Sequence, residues 1–212
     1  MLGDRYYLEL AAAFSRGKLP DAGGFADEAA IESGRAAGLR LHKFKRNTGL
    51  PRVRRVLGIL RGLAPSSVLD IGSGRGTFLW PLLDQFPNVP TVAIDISSIR
   101  TGDIDAVRRG GVHRLSSALM DATALGFGDG SFDVVTILEV LEHVPKIHPA
   151  VYEAVRVARR FVIASMPSKD DENPEHIDFF GHDEVLDAFG RAGAAKVVVE
   201  YVPGHMIALA RR

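Results

Sequence analysis

The feature of this chain that most constrains its fold is a regular alternation of short apolar runs with stretches of helical length. Seven β-branched-rich runs predict strands at 67–71, 91–95, 113–120, 132–138, 160–165, 195–202 and 205–210. Helices are predicted between or after them at 77–86, 99–109, 147–158 and 183–192. Strands that are apolar almost throughout and alternate with helices favour a parallel sheet that is covered on both faces. The sequence therefore predicts an α/β fold.

The last two predicted strands depart from this alternation. Residues 195–202 and 205–210 are separated only by Pro203 and Gly204, which is too short a connection for a helical crossover. Such a short link predicts a hairpin, and a hairpin places one antiparallel strand in the sheet.

The N-terminal part of the chain is predicted to be helical. Residues 1–63 contain no strand pattern, and the firmest helix there is expected from 51 to 63, where Pro51 suits the first helical turn. With 212 residues the chain is long enough for one sizeable core. We expect a single domain over residues 1–212, with an N-terminal helical cap at 1–63 and a cofactor-binding sheet core at 64–212.

The composition excludes several classes of protein. Hydrophobic residues make up 46% of the chain, charged residues 25%, and the formal net charge is +0, so no overall field attracts nucleic acid or an anionic membrane. The chain has no cysteine, which excludes thiolate metal sites and cysteine nucleophiles. It contains no apolar run of membrane-spanning length, and its start lacks the pattern of a signal peptide. These features favour a cytoplasmic protein without a membrane partner.

The stretch "VLDIGSGRGTF" predicts a ligand-binding turn. It follows the first predicted strand and brings Gly72, Gly74 and Gly76 together just before a predicted helix. Glycine permits positive φ and lets backbone N–H groups approach a ligand closely. In open α/β sheets, ligands bind beyond the carboxyl ends of the strands, which is where this turn is expected.

Two acidic residues indicate which ligand this turn would bind. Asp95 ends the next strand about 20 residues on, where a carboxylate can accept hydrogen bonds from ribose hydroxyls. The dinucleotide pattern G-x-G-x-x-G is not met because residue 77 is Thr. Asp70, at the tip of the first strand, would repel a pyrophosphate but suits a cationic amino-acid group. S-adenosylmethionine has that group, a sulfonium and a ribose, and no phosphate, so it is the predicted cofactor.

The segments "VLDIGSGRG", "AIDIS" and "MDATALGFGDGSFDVVTILEVLEHV" resemble the class I S-adenosylmethionine-dependent methyltransferases, from Val68 to the C-terminus. The resemblance implies a Rossmann-like, seven-stranded, mostly parallel sheet of order 3-2-1-4-5-7-6, with the last strand antiparallel and helices on both faces. It also implies contacts with the methionyl part, the ribose and the adenine of the cofactor. The residues implied are Asp70, Gly72, Ser73, Gly74, Gly76, Asp95, Ile96, Asp121, Ala122 and Glu139.

The stretch "LEVLEHVPKIH" suggests chemistry after the fourth strand. If it forms a helical turn, Glu139, Glu142 and His143 share one face. Two carboxylates and an imidazole that face one way favour either a divalent metal, such as Mg²⁺ or Mn²⁺, or a general base. His176, in the loop after the fifth strand, could add a fourth metal ligand. This E-x-x-E-H element resembles those of ubiquinone-biosynthesis O-methyltransferases and of Hen1-type RNA methyltransferases, which bind a metal.

The alternative is a site without metal. Glu142 and His143 are then the catalytic candidates, because an imidazole can accept a proton from an acceptor hydroxyl or amine near neutral pH.

The helical cap carries a basic stretch between residues 43 and 61. Its arginines mostly fall opposite the apolar stripe Val53, Val56, Leu57 and Leu60, which favours a solvated face over a nucleic-acid surface. We expect substrate contacts from the cap at Tyr6, Tyr7, His42 and Phe44.

The sequence thus predicts an enzyme that transfers a methyl group from S-adenosylmethionine to an oxygen or nitrogen of a small-molecule acceptor. Two alternatives remain open: a metal-dependent RNA methyltransferase and a non-catalytic S-adenosylmethionine-binding module. A nicotinamide-dependent oxidoreductase is disfavoured by Asp70 and Thr77.

Overall fold

Seven strands form one sheet in the computed structural model, which describes residues 6–46, 49–169 and 179–212. The sheet order is β3-β2-β1-β4-β5-β7-β6, which confirms the predicted order. The strands are β1 (Val68–Ile71), β2 (Thr91–Asp95), β3 (Leu115–Leu119), β4 (Phe132–Leu138), β5 (Ala158–Pro167), β6 (Lys196–Val202) and β7 (His205–Arg211).

The first five strands are parallel and β7 is not. β1 lies between β2 and β4, and Asp70 is in register with Ala93 on one side and Thr136 on the other. β7 pairs antiparallel with both β5 and β6. The predicted hairpin is confirmed, with Gly204 at φ +80° in its turn.

Seven α-helices belong to the described part of the chain, and none of them has the length and apolarity needed to cross a bilayer. Each helix or strand predicted from the alternating pattern begins and ends within two residues of its predicted bounds. The helices are α1 (Leu8–Lys18), α2 (Asp27–Ala36), α3 (Pro51–Leu63), α4 (Leu79–Gln85), α5 (Ser98–Arg109), α6 (Ile147–Val157) and α7 (His182–Arg191).

The helices cover both faces of the sheet, as predicted. One hydrophobic cluster joins one face of the sheet to α1–α5 and includes Leu10, Leu57, Leu79 and Ile104. A second cluster joins the other face to α6 and α7. The helical cap therefore shares a core with the sheet.

The basic stretch of the cap is mostly solvated. Arg54, Arg55 and Arg61 are exposed, and Arg55 binds Glu200 on β6 with an Nε–Oε1 distance of 2.5 Å. The prediction of a solvated face is confirmed for these three arginines. Arg52, at the start of α3, is an exception because only 19% of its side chain is exposed.

Two of the residues expected to contact substrate are core residues. Tyr7 is 1% exposed and Phe44 is fully buried. The ring of Phe44 lies 5.2 Å from that of Phe14 and 4.8 Å from that of Trp80, measured between centroids. The expectation is wrong for Tyr7 and Phe44, because both side chains are buried in the hydrophobic core that joins the cap to the sheet.

Helices α1 and α5 pack closely enough to require glycine on each of the two facing segments. A Cβ at Gly17 would lie 1.9 Å from the carbonyl oxygen of Ala106, and one at Gly110 would lie 1.8 Å from that of Ala13. Such distances are far below van der Waals contact, so the two backbones approach where side chains are absent. This contact fixes the cap against the sheet core.

We expect Gly17→Ala and Gly110→Ala each to lower the free energy of unfolding by about 1–3 kcal/mol, because the added methyl must push the two backbones apart. The matched control is Gly58→Ala in α3, where a Cβ meets no atom within 4 Å. That change should raise the free energy of unfolding by up to about 1 kcal/mol through helix propensity. Urea unfolding of the three variants measures this, and equal effects at all three glycines would contradict it.

Candidate functional site

A cleft of about 560 Å³ opens at the carboxyl ends of β1, β2 and β4. Parallel strands end at the same edge of a sheet, so residues that are distant in sequence meet there. Most of the predicted site residues line this cleft: Asp70, Gly72, Ser73, Gly74, Asp95, Ile96, Asp121, Ala122, Glu139 and His143. Gly76 and Glu142 are not among the lining residues.

The three glycines of the loop after β1 have different neighbours. All three have positive φ, +70° at Gly72, +57° at Gly74 and +83° at Gly76, which favours glycine at each position. A Cβ at Gly72 would lie 2.3 Å from the Cγ2 of Val140, and one at Gly76 would lie 2.0 Å from the ring of Trp80. A Cβ at Gly74 would meet nothing closer than 3.8 Å. Gly74 therefore faces open space, whereas the other two glycines make room for protein side chains.

Asp95 holds this loop in place. It is 3% exposed, and its Oδ2 accepts a hydrogen bond from the N–H of Gly74 at 2.8 Å. Its Oδ1 accepts from the N–H of Ser97 at 2.9 Å. Nη1 of Arg100 lies 3.8 Å from Oδ2. A carboxylate offers about four acceptor positions, so the two N–H donors do not saturate it. The geometry is compatible with the predicted ribose contact.

Asp70 lies under the glycine loop and is 2% exposed. Its Oδ2 accepts from the hydroxyl of Ser73 at 2.6 Å, and its Oδ1 accepts from that of Thr136 at 2.7 Å. Burial raises the pKa of Asp70 to about 6, against the effect of these two hydrogen bonds, and the charge of Asp95 raises it further. No Lys, Arg or His in the described segments pairs with Asp70, so a cationic ligand at this place would favour its ionised form.

The outer end of the cleft carries the residues predicted to contact adenine. Oδ1 of Asp121 accepts from the N–H and the hydroxyl of Thr123, both at 2.8 Å, and these bonds lower the pKa of Asp121. Oδ2 of Asp121 is not engaged in these bonds. Ala122 lines the same end, and Ile96 presents an exposed aliphatic side chain beside Asp95.

Glu139, directly after β4, is held by three side chains and by its own backbone. Its N–H donates to the carbonyl of Ser165 at 2.9 Å, and its φ is +56°. Oε1 accepts from the hydroxyl of Ser165 at 2.7 Å. Oε2 lies 2.9 Å from Nε2 of His205 and 3.6 Å from Nε of Arg52.

These contacts determine the charge of Glu139. Burial by itself would raise its pKa, but the hydrogen bond with His205, the charge of Arg52 and the hydrogen bond from Ser165 together hold the pKa below its ordinary value. The cleft therefore contains a fixed carboxylate anion at the end of β4.

The prediction that Glu139, Glu142 and His143 share one helical face is wrong. Residues Leu141–His143 form a single 3₁₀ turn, and the left-handed backbone of Glu139 separates it from that turn. Glu142 is 1% exposed and does not line the cleft, whereas His143 does. In residues 6–46, 49–169 and 179–212, no three His, Asp or Glu side chains are placed to hold a metal ion. His176, the fourth predicted ligand, lies outside the described residues.

The structure adds two residues that the sequence reasoning missed, Arg52 and His205. Arg52 lines the cleft from the first turn of α3. His205 is the first residue of β7 and is in register with Pro167, at the carboxyl end of β5. An antiparallel strand presents its first residue at the edge where the parallel strands end. The predicted strand order could therefore have indicated His205.

Comparison with known proteins shows which family and relatives this chain resembles. Residues 69–162 match the sequence model of the family described as "Methyltransferase domain". A ubiquinone/menaquinone biosynthesis C-methyltransferase of Dinoroseobacter shibae is 35% identical over 98 residues, which are 45% of this chain and 39% of that protein. A ubiquinone biosynthesis O-methyltransferase of Cupriavidus pinatubonensis is 33% identical over 86 residues, 41% of this chain and 34% of that protein. The chain thus matches less than half the length of both relatives.

The fold is also similar to that of a solved structure. The crystal structure of an S-adenosylmethionine-dependent methyltransferase from Aquifex aeolicus superposes with a TM-score of 0.62 at 19% identity, over 77% of this chain and 91% of that one. The chain thus has the Rossmann-like fold of that structure, and residues 69–162 carry the match to the methyltransferase family.

We expect Asp70→Asn to change the pH dependence of stability. An aspartate with a folded pKa of about 6 and an unfolded pKa of 3.8 binds more protons when folded, so its contribution to stability falls as the pH rises from 4 to 7. The wild-type protein loses this contribution and the variant does not, so the free energy of unfolding of the variant relative to wild type should rise by roughly 2.4 kcal/mol between pH 4 and pH 7. Urea unfolding of both proteins at several pH values measures the difference, and a difference independent of pH would contradict the assignment.

Proposed function

We propose that this protein transfers a methyl group from S-adenosylmethionine to a small-molecule acceptor. The observation that carries the proposal is Asp70, a buried carboxylate that lines the cleft without a cationic partner in the described part of the chain. A ligand with an ammonium group beside a nucleoside supplies that partner. A pyridine dinucleotide would bring its negatively charged pyrophosphate to the same place.

The lining residues suggest how the cofactor is held. Asp121 and Ala122 take the adenine, Asp95 takes the ribose hydroxyls, and Gly74, with no side chain, leaves room for the methionyl part. Asp70 and Glu139 place two carboxylates at the end where the ammonium belongs. Arg52, a cation that lines the cleft 3.6 Å from Oε2 of Glu139, completes the charges that a zwitterionic tail requires. The donor set fits the cofactor from its adenine to its amino-acid end.

The bound cofactor supplies an activated methyl group on a positively charged sulfur. The chain then has to align an acceptor atom with that methyl group and exclude water. We assign proton acceptance to His143, which lines the cleft beside Val144 and Pro145, because imidazole exchanges a proton near neutral pH. Glu142, outside the lining, takes no direct part in this proposal.

The names of the relatives bear on the acceptor. One is a quinone-biosynthesis C-methyltransferase and the other an O-methyltransferase, so the acceptor tests should include ring carbons as well as oxygens and nitrogens. The RNA alternative invokes a metal site, and among the described residues Glu139, Glu142 and His143 are not grouped to hold one. Measured turnover of a methyl acceptor would exclude the alternative of a non-catalytic binding module.

We further infer that residues 1–63 act as a cap of the core at 64–212.

We expect the wild-type protein to bind S-adenosylhomocysteine, the demethylated product, and not NAD⁺. Asp95→Asn should weaken binding of S-adenosylhomocysteine at least about tenfold, because a charged acceptor of ribose hydroxyls is lost. The control is Asp187→Asn, which removes an exposed carboxylate that pairs with Arg191 on α7. Isothermal titration calorimetry measures the affinity of the wild type and of both variants for S-adenosylhomocysteine. Heat with NAD⁺ but not with S-adenosylhomocysteine would refute the proposed function.

We expect His143→Ala to lower kcat for a protonated acceptor by roughly 10²–10⁴-fold while leaving the Kd of S-adenosylhomocysteine unchanged, because the imidazole serves the acceptor. The assay follows transfer of a radiolabelled methyl group to a panel of phenols, carboxylic acids, amines, quinols and a short RNA. Unchanged kcat in the variant would remove His143 from the mechanism. Methyl transfer to the RNA alone would show that the acceptor is RNA rather than a small molecule.

A further inference from the structure

We propose that His205, on the C-terminal hairpin, is a positioning residue that orients the Glu139 carboxylate toward the ammonium group of the cofactor's amino-acid tail. The inference rests on the proposed function and extends it to a segment outside the family match at 69–162. It assigns a role to the β6–β7 turn, which brings His205 next to the cleft.

The place of Glu139 makes it suited to an ammonium group. β1 and β4 are neighbours in the sheet, and the loop after β1 packs against the segment after β4, where Gly72 meets Val140. Glu139 and Asp70 therefore lie at the same end of the cleft. Two carboxylates at this end match a ligand group with three N–H donors.

His205 sets the direction of one carboxylate oxygen. Its Nε2 lies 2.9 Å from Oε2 of Glu139, and its Nδ1 lies 3.4 Å from the carbonyl oxygen of Pro203. The ring faces an acceptor at each nitrogen, so a rotation would disrupt one contact or the other. Arg52 is 3.6 Å from the same Oε2, beyond a good hydrogen bond. His205 thus makes the closest side-chain contact with Oε2 among the described residues.

The backbone at Glu139 indicates that this orientation is imposed. In the described part of the chain only two non-glycine residues have positive φ, and one of them, Ala64, ends helix α3. The other is Glu139 at φ +56°, which lines the cleft. Backbone strain of this kind persists only where surrounding contacts hold it, and it concentrates at functional sites. The contacts that hold it are those of Ser165 and His205.

The test compares two ligands that differ only in the part that Glu139 would bind. S-adenosylhomocysteine carries the amino-acid tail, and 5′-methylthioadenosine does not. We expect His205→Leu to weaken binding of S-adenosylhomocysteine about tenfold, the effect of losing one charge-assisted contact, and that of 5′-methylthioadenosine less than about twofold. His205→Gln, whose amide can donate to Oε2, should recover most of the loss.

The matched control is Glu200→Gln on the same hairpin. It breaks the exposed pair with Arg55 and leaves the Glu139 contacts intact. We expect its two affinities to equal those of wild type in calorimetric titrations of the full chain at pH 7.5.

The outcomes separate the two proposals. If wild type binds S-adenosylhomocysteine but His205→Leu weakens both ligands equally, or neither, the positioning role is wrong and the proposed function stands. If His205→Gln is no better than His205→Leu, the hydrogen bond to Oε2 is not the cause and the inference fails. If wild type binds neither ligand, the proposed function fails, and this inference fails with it.

Discussion

The hydrogen bond from the N–H of Gly74 to Asp95 is the interaction on which the site depends. It ties the loop after β1 to the end of β2, and the N–H groups of Gly72 and Ser73 add bonds to the carbonyl of Ile94. The loop is thereby held open over the carboxyl edge of the sheet. Because β1 to β4 are parallel neighbours, the same edge also receives Asp121 after β3 and Glu139 after β4.

Two carboxylates in the cleft, Asp70 and Glu139, have pKa values that are shifted in opposite directions. Asp70 receives only hydroxyl donors and is desolvated, which raises its pKa to about 6. Glu139 is also buried, but His205, Arg52 and Ser165 hold its pKa below its ordinary value. Glu139 is therefore an anion before any ligand arrives, whereas the charge of Asp70 responds to what binds beside it. A cation bound beside Asp70 would lower the pKa of that carboxyl and so favour its charged form.

The pattern D-x-G-x-G-x-G has more than one physical origin. Gly74 faces the open cleft, which is the reason the sequence suggested for all three glycines. Gly72 and Gly76 are needed because Val140 and Trp80 occupy the space that a Cβ would fill. A glycine motif of this kind is required by the packing of the loop as well as by access for a ligand. Spacing along the chain was also insufficient to predict the geometry of the E-x-x-E-H element. A 3₁₀ turn and one left-handed residue separate side chains that an α-helix would place together.

The sequence by itself determined the alternating strands and helices, their bounds to within two residues, and the acidic and glycine residues at the strand ends. These features depend on local patterns of hydrophobicity and on chain neighbours, so they can be read without coordinates. Only the tertiary structure decided that Arg52 reaches the cleft while Arg54 and Arg55 remain solvated, that Tyr7 and Phe44 are core, and that His205 binds Glu139. Each of these depends on which elements pack together across tens of residues, and side-chain direction in such contacts is set by packing rather than by spacing along the chain.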